Sequence, residues 1–400
     1  MAYDFTTVLN RFGTGSGKWE EMKAYGIADA SVTPMSTAEM EFDNAPEIKR
    51  GLADYALGAV LSYYDPQPAY FEAVANWLRD RQGFSVDREA IIPNNSLHAV
   101  LATAVMAFSG SDDAVLVPHP VWPCFISTVR RLGRREIVHE LVEKDLLYAF
   151  DFDQLDRDLA DPACKLMLLC SPHNPVGRSW TRRELETIAA LCARHGVTIV
   201  SDEIHADLTL PGFTHVPIAT VSPDTAARTV TFTSASKAFN LAGLDSANVI
   251  IPNAGLRARY LEARRREGLS SPNMLGLKAC ELAYTKGATW LDQCRATIAG
   301  NAKFIAKFLA ENTPGIKCSP LEATYLLWVD FRSLGLDGPA LERELVDKAR
   351  IFAGGGHHFG HGGEGFVRIN IACPLSTVED AFGRIAGWVR ALRQQGAAKC

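Results

Sequence analysis

The 400-residue chain has little of what marks several broad classes of protein. It has no long hydrophobic run: the most nearly apolar stretch, Leu97 to Phe108, is too short to span a bilayer. The opening MAYDFTTVLNRFGTGSGKW contains no apolar core of a secretory signal, so no signal peptide is expected. Nine cysteines occur without a CxxC pair or a regular spacing, which implies neither a disulfide framework nor a zinc ribbon. Basic charge is not in excess either; a net charge of −5 argues against a nucleic-acid partner. The runs Arg130-Arg131 and Arg264-Arg265-Arg266 lie beside apolar helical residues and read as solvated helix faces. There is no internal repeat and no low-complexity tract. The expectation is a reduced, cytoplasmic protein with no membrane and no nucleic-acid partner.

What is there is an ordinary globular composition, 47% hydrophobic and 22% charged, in a chain long enough for two domains. Residues 1–45 are mixed and turn-rich and read as an N-terminal arm contributing to the small domain. Residues 46–287 alternate helical patterns with short β-branched runs. The expected strands are 114–117, 166–169, 197–200, 229–232 and 248–251, with helical stretches such as 96–108 and 181–195 between them. That alternation predicts an α/β fold: a mostly parallel sheet covered by helices on both faces. A long helical pattern over 275–311 leads into residues 288–400, a smaller α+β domain with strands at 325–329 and 366–370.

Ligands in such sheets bind beyond the carboxyl ends of the strands. Three polar clusters stand there: Cys170-Ser-Pro-His-Asn-Pro-Val-Gly177, Ser201-Asp-Glu-Ile-His205 and Thr233-Ser-Ala-Ser-Lys237. Their chemistry suits a phosphorylated aldehyde such as pyridoxal 5'-phosphate. Lys237 can form an imine and shuttle protons, and Asp202 can keep a pyridine nitrogen protonated. Asn174, in a Pro-flanked turn, can donate to the phenolic oxygen. Ser234 and Ser236 can bind phosphate, as can the N–H groups of Ser96, Leu97 and His98 at a helix start. Singly, Asp202 reads as a strand-end carboxylate and His-Asn-Pro as a turn; together, in order, they read as one site.

The segments SPHNPVGR, SDEIHADL, SASKAFNLAGL and FVRINIACP resemble fold-type I pyridoxal-phosphate enzymes of the aminotransferase superfamily. The likeness is nearest to the cystathionine β-lyase-like C–S lyase branch and runs from Lys18 to about Ile385. It implies Lys237 as Schiff-base lysine and general acid/base, Asp202 as partner of the ring nitrogen, and Asn174 at the phenolic oxygen. His205, three residues beyond Asp202 where plain aminotransferases more often carry tyrosine, favours the lyase branch; a purely packing role stays open. Arg368 would clamp the substrate carboxylate. Tyr63, or Tyr64 beside it, would reach into the neighbouring subunit's site, implying a homodimer with shared active sites.

Three departures fall near the site. Trp122 replaces a tyrosine expected over the ring, Ser36-Thr37 replace a Trp-Val pair, and Ser96-Leu97-His98 replace Gly-Val-Val. Ser36 in place of an indole would open the mouth to a substrate larger than cystathionine. The leading expectation is β-elimination from a cysteine S-conjugate or a cystathionine-like amino acid. The alternatives are transamination, decarboxylation coupled to oxidative deamination, and a regulatory role, which retention of Lys237 and Asp202 disfavours. GTGSG at Gly13 follows no strand and is no dinucleotide fingerprint. No metal is expected: His357, His358, His361 and Glu364 sit in a glycine-rich loop without a rigid element to fix ligand geometry.

Overall fold

All five strands expected in the large domain occur, shifted by no more than two residues at either end, and they join one seven-stranded sheet. The structure is a computed structural model that describes residues 2–268 and 272–397. The sheet strands are β1 (Ile91–Asn94), β2 (Ala114–His119), β3 (Arg135–Glu140), β4 (Cys164–Cys170), β5 (Thr198–Asp202), β6 (Thr229–Thr233) and β7 (Ala247–Ile250). Their spatial order is β1-β7-β6-β5-β4-β2-β3, with β3, β2, β4, β5 and β6 parallel and β7 antiparallel to both its neighbours.

The two strands that sequence patterning missed, β1 and β3, are the two edges. Edge strands tolerate proline and charge, because one side needs no ladder and open edges are blunted that way. Ile-Ile-Pro-Asn and Arg-Glu-Ile-Val-His-Glu therefore do not look like buried runs.

Side-chain alternation sends successive strand residues to opposite faces. Leu166, Leu168 and Cys170 pack with Val100, Phe125 and Tyr260 from the helices Leu97–Phe108, Pro123–Arg131 and Ala254–Arg266. Met167 and Leu169 pack on the other face against Leu155, Leu185 and Ile188 from Phe152–Leu159 and Arg182–His195. The latter helix begins on a capping box: Thr181 Oγ1 accepts from the Glu184 N–H while Glu184 accepts from the Thr181 N–H, and Gly196 ends it in the left-handed region. The fold is therefore α/β with a mostly parallel, doubly covered sheet.

The helical pattern over 275–311 is two helices, Met274–Lys286 and Ala288–Asn312, broken at Gly287. A Cβ at 287 would strike the ring of Phe239, so only glycine lets the junction sit against it. Beyond lies a four-stranded antiparallel sheet of β8 (Lys317–Cys318), β9 (Leu326–Asp330), β10 (Gly354–Gly355) and β11 (Phe366–Asn370), in the order β8-β9-β11-β10. The N-terminal arm is tied to this C-terminal part by parallel pairing of Thr33–Pro34 with Ile351–Phe352. Among the described residues no helix is long and apolar enough to cross a membrane.

Candidate active site

The strands β4, β5 and β6 are immediate neighbours, so the three polar clusters at their carboxyl ends fall side by side. They line one cavity of about 230 Å³. Ser96, Leu97, His98, Trp122, Asn174, Asp202, His205, Ser234, Ser236 and Lys237 all face it. Every cofactor-side residue expected from the sequence is thus brought together.

Local structure aims each one. Ser96 is the N-cap of Leu97–Phe108, its hydroxyl accepting from the Ala99 N–H, so the first free amides of that helix open on the cavity. Ser234 caps the short turn that carries Lys237; its Oγ accepts from the Ser236 N–H (3.0 Å), lies 2.5 Å from Ser236 Oγ and donates to the Ser246 carbonyl (2.6 Å). The Lys237 ammonium donates to the Ala38 carbonyl at 3.0 Å. Trp122 is held by its N–H to the Asn174 carbonyl (3.1 Å), and its ring lies 5.2 Å from that of His98.

Electrostatics set the protonation states. Burial pushes the Asp202 carboxyl up to about 7, against the opposing pull of the Ile204 N–H and Lys237. Burial, with the Arg368 charge added, lowers the Lys237 ammonium below its ordinary range. Burial holds the His205 imidazole down to about 3, so it is neutral near pH 7, and its Nδ1 has no hydrogen-bond partner. His98 is likewise lowered, first by burial and then by Lys237. A buried carboxylate in no direct ion pair among the described residues, a lysine easily deprotonated, hydroxyls and a helix start in one cavity suit a phosphorylated pyridine aldehyde.

Arg368, expected to meet the substrate carboxylate, is buried in β11. Its Nη1 donates to Asn174 Oδ1 (3.1 Å) and its Nη2 to the Ser36 carbonyl (2.8 Å), while Nε has no partner. Leaving a buried donor unpaired costs about 1–3 kcal/mol, which an incoming carboxylate can recover. Arg368, Ser36 and Trp122 line a second, more open cavity of about 700 Å³; Trp122 belongs to both and forms the wall between them. Ser36 Oγ donates to Glu21 at 2.7 Å, and Thr37 Oγ1 bonds the same carboxylate. Thr37 lines neither cavity.

Tyr63 is not brought to the site within one chain. It is fully exposed, in a segment where Leu57, Val60 and Leu61 are exposed as well. Tyr64 instead packs on the chain's own core. His361 pairs with Glu140 (2.9 Å) and Glu364 accepts from the Gly338 N–H, so neither joins His357 and His358.

Sequence reasoning missed Glu21, Tyr325 and the carbonyls of residues 36–40. The Ser36 carbonyl takes Arg368, and the Thr37 and Glu39 carbonyls both take the Asn370 amide (2.6 Å each). The Ala38 carbonyl takes Lys237 and the Tyr325 hydroxyl (2.9 Å), the Glu39 carbonyl also Lys18 (3.0 Å), and the Met40 carbonyl Asn240 (3.0 Å). Main-chain acceptors carry no sequence signal.

Residues 30–385 match the family model for class I and II aminotransferases. The chain belongs to that family. Cystathionine beta-lyase PatB of Bacillus subtilis (strain 168) is 39% identical over 376 residues, spanning 94% of this chain and 97% of its own. Cystalysin from Treponema denticola, whose crystal structure contains a pyridoxal 5'-phosphate cofactor, matches with a TM-score of 0.96 at 38% identity, covering 98% of this chain and 100% of that one. The pyridoxal-phosphate-bound C–S lyase from Staphylococcus hominis matches with a TM-score of 0.91 at 28% identity, covering 97% and 98%. The resemblance carried by the four motifs is borne out: within the family, the chain falls in the cystathionine β-lyase-like C–S lyase branch.

Proposed function

We propose that this enzyme performs β-elimination on a cysteine S-conjugate or a cystathionine-like amino acid, with room for a bulky group on sulfur. It is a pyridoxal-5'-phosphate-dependent enzyme. When bound, that cofactor supplies an electron sink conjugated with the substrate's α-carbon. The chain's own residues do the rest. Lys237 carries the cofactor and moves the α-proton, a task eased by its lowered ammonium pKa. Asp202 would hold a proton on the ring nitrogen, and a cation there would favour the ionised form of its carboxyl. Asn174 would serve the phenolic oxygen and Trp122 the ring face, and Ser234, Ser236 and the amides of Ser96, Leu97 and His98 would hold the phosphate. His205 packs, neutral, at the cavity wall. Arg368 receives the α-carboxylate, which fixes the Cα–H and Cβ–S bonds for the elimination. Sulfur leaves with the bonding pair as a thiolate, and the remaining three-carbon fragment hydrolyses to pyruvate and ammonia.

The observation that carries the substrate reading is the 700 Å³ antechamber beside Trp122, opened where Ser36 stands and reaching Arg368. The exposed apolar segment ending in Tyr63 supports a homodimer in which Tyr63 enters the partner's site. Tyr64 is already engaged in its own chain. We place the protein in the cytoplasm. Product analysis with a cysteine S-conjugate, in the absence of any keto acid, tests the reaction. Equimolar pyruvate, ammonia and thiol are expected. An aldehyde formed with oxygen consumption, or no turnover until a keto acid is added, would replace elimination by decarboxylative deamination or transamination.

A further inference from the structure

At the far rim of the antechamber, Glu342 from the helix Gly338–Asp347 faces His357 and His358 on the single turn Gly356–Phe359. One ligand atom from each of the three lies within 4.8 Å of the others. His358 Nε2 is 3.3 Å from Glu342 Oε1, and His357 Nε2 is 3.8 Å from Oε2. Both separations exceed a good N–H···O hydrogen bond of about 2.9 Å. They are close to the roughly 3.3 Å edge of a tetrahedron whose ligands stand about 2.0–2.1 Å from a central ion.

The sequence alone argued against a metal, because a glycine-rich loop offers no rigid element. The structure supplies the rigidity. A Cβ at Gly338 would strike the His357 ring and one at Gly355 would strike the Glu342 carboxylate, so backbone is packed directly against both ligands. The Gly355 N–H also donates to Glu342 Oε1 at 2.9 Å and fixes that carboxylate. The two imidazole centroids are 4.0 Å apart, close enough for both rings to reach one ion. Glu342 and His358 line the antechamber, so a fourth position opens towards it.

We propose that Glu342, His357 and His358 bind a divalent transition-metal ion of the zinc class. Two histidines and a glutamate form a donor set known from zinc sites that keep an open position. The site stands apart from Lys237 and is independent of the lyase reading, since metal is measured whether or not any thiol is released.

The test titrates the tag-free holoenzyme with zinc and, separately, with cobalt(II). One equivalent per chain is expected, with the intense visible absorption of four-coordinate cobalt at wavelengths beyond the cofactor band. His357→Asn and His358→Asn should each weaken binding by about 100-fold or more, since even outer partners of a ligand cost 10–100-fold. His361→Asn, which pairs with Glu140, should bind as the parent does. Cofactor absorbance and the unfolding midpoint show that each variant is folded. The weak spectrum of six-coordinate cobalt in the parent, or equal binding by parent and His357→Asn/His358→Asn, would overturn the site without bearing on the elimination chemistry.

Discussion

The two cavities that meet at Trp122 differ in how much of their charge meets water: Arg368, which lines the outer one, is buried, but Glu342, Arg343 and His358 beside it are not. In the inner one, Asp202 and His205 are buried and Lys237 is recessed, with all three displaced from their ordinary protonation by desolvation. In the outer one, Glu342 and His358 keep contact with water and Arg343 is exposed. Charges in a dry site act strongly on one another, whereas solvated ones are screened. On the proposed reading, the inner cavity would fix the chemistry and the outer one would select what is presented to it. Substitutions should divide accordingly, with steep losses inside and shifted preferences outside.

The sharpest break would come at Lys237. Lys237→Ala should lower turnover by at least about 10⁴-fold, the upper range for a general acid–base group. Borohydride should then no longer fix the cofactor to the peptide that contains position 237. A cofactor-labelled peptide lacking Lys237 would remove the lysine from the centre of the inner site.

Asp202→Asn should cost about 10²–10³-fold in kcat with the fold kept, because an amide cannot hold the ring nitrogen protonated. The same residue makes a prediction about pH. In cofactor-free protein the Asp202 pKa is raised to about 7, above its unfolded value. Its contribution to stability is then complete in acid and lost as pH rises from about 4 towards 7, since the unfolded chain releases that proton first. Denaturation midpoints of the cofactor-free protein and of Asp202→Asn, compared over that range, should diverge in this sense. Parallel curves would mean that Asp202 is not the desolvated acid described here.

A third experiment asks whether the inner site is complete in one chain. Tyr63→Phe and Lys237→Ala chains, each inactive alone, should regain about a quarter of the parent's sites when mixed, since random exchange makes half the dimers mixed, with one intact site each. No recovery after demonstrated subunit exchange would return Tyr63 to the surface of its own chain.

The smallest effect belongs outside. The parent should show a higher kcat/KM for bulky S-conjugates than for cystathionine, and Ser36→Trp should cut that preference by about 10-fold, the scale of pocket-filling discrimination. An unchanged ratio would show that Ser36 does not set the size of the antechamber.

Legibility in the sequence follows the same division. The inner site could be read because it hangs on consecutive parallel strands, whose apolar runs and polar ends are both local in sequence. Lys237, Asp202 and Asn174 each follow a run that patterning alone identifies. The outer cavity was legible only in part: Ser36, Trp122 and Arg368 stood out by resemblance, but contacts made only by folding did not, Glu21 with Ser36 and Glu342 with His357 and His358. Edge strands β1 and β3 escaped notice for the different reason that charge and proline are favoured there. Tyr63 was singled out by motif, yet its place at a site depends on a second chain.

The segment running from Ser36 to Met40 is anchored by what every amino acid shares. Its carbonyls take Arg368, Asn370, Lys237, Tyr325, Lys18 and Asn240, anchors that do not depend on which side chains stand at 36 and 37. Such a rail can exchange the groups it presents at the cavity mouth without losing its seat. Variants randomised at positions 36 and 37 should accordingly fold and bind cofactor at a rate that randomising Asn370 or Tyr325 would not permit.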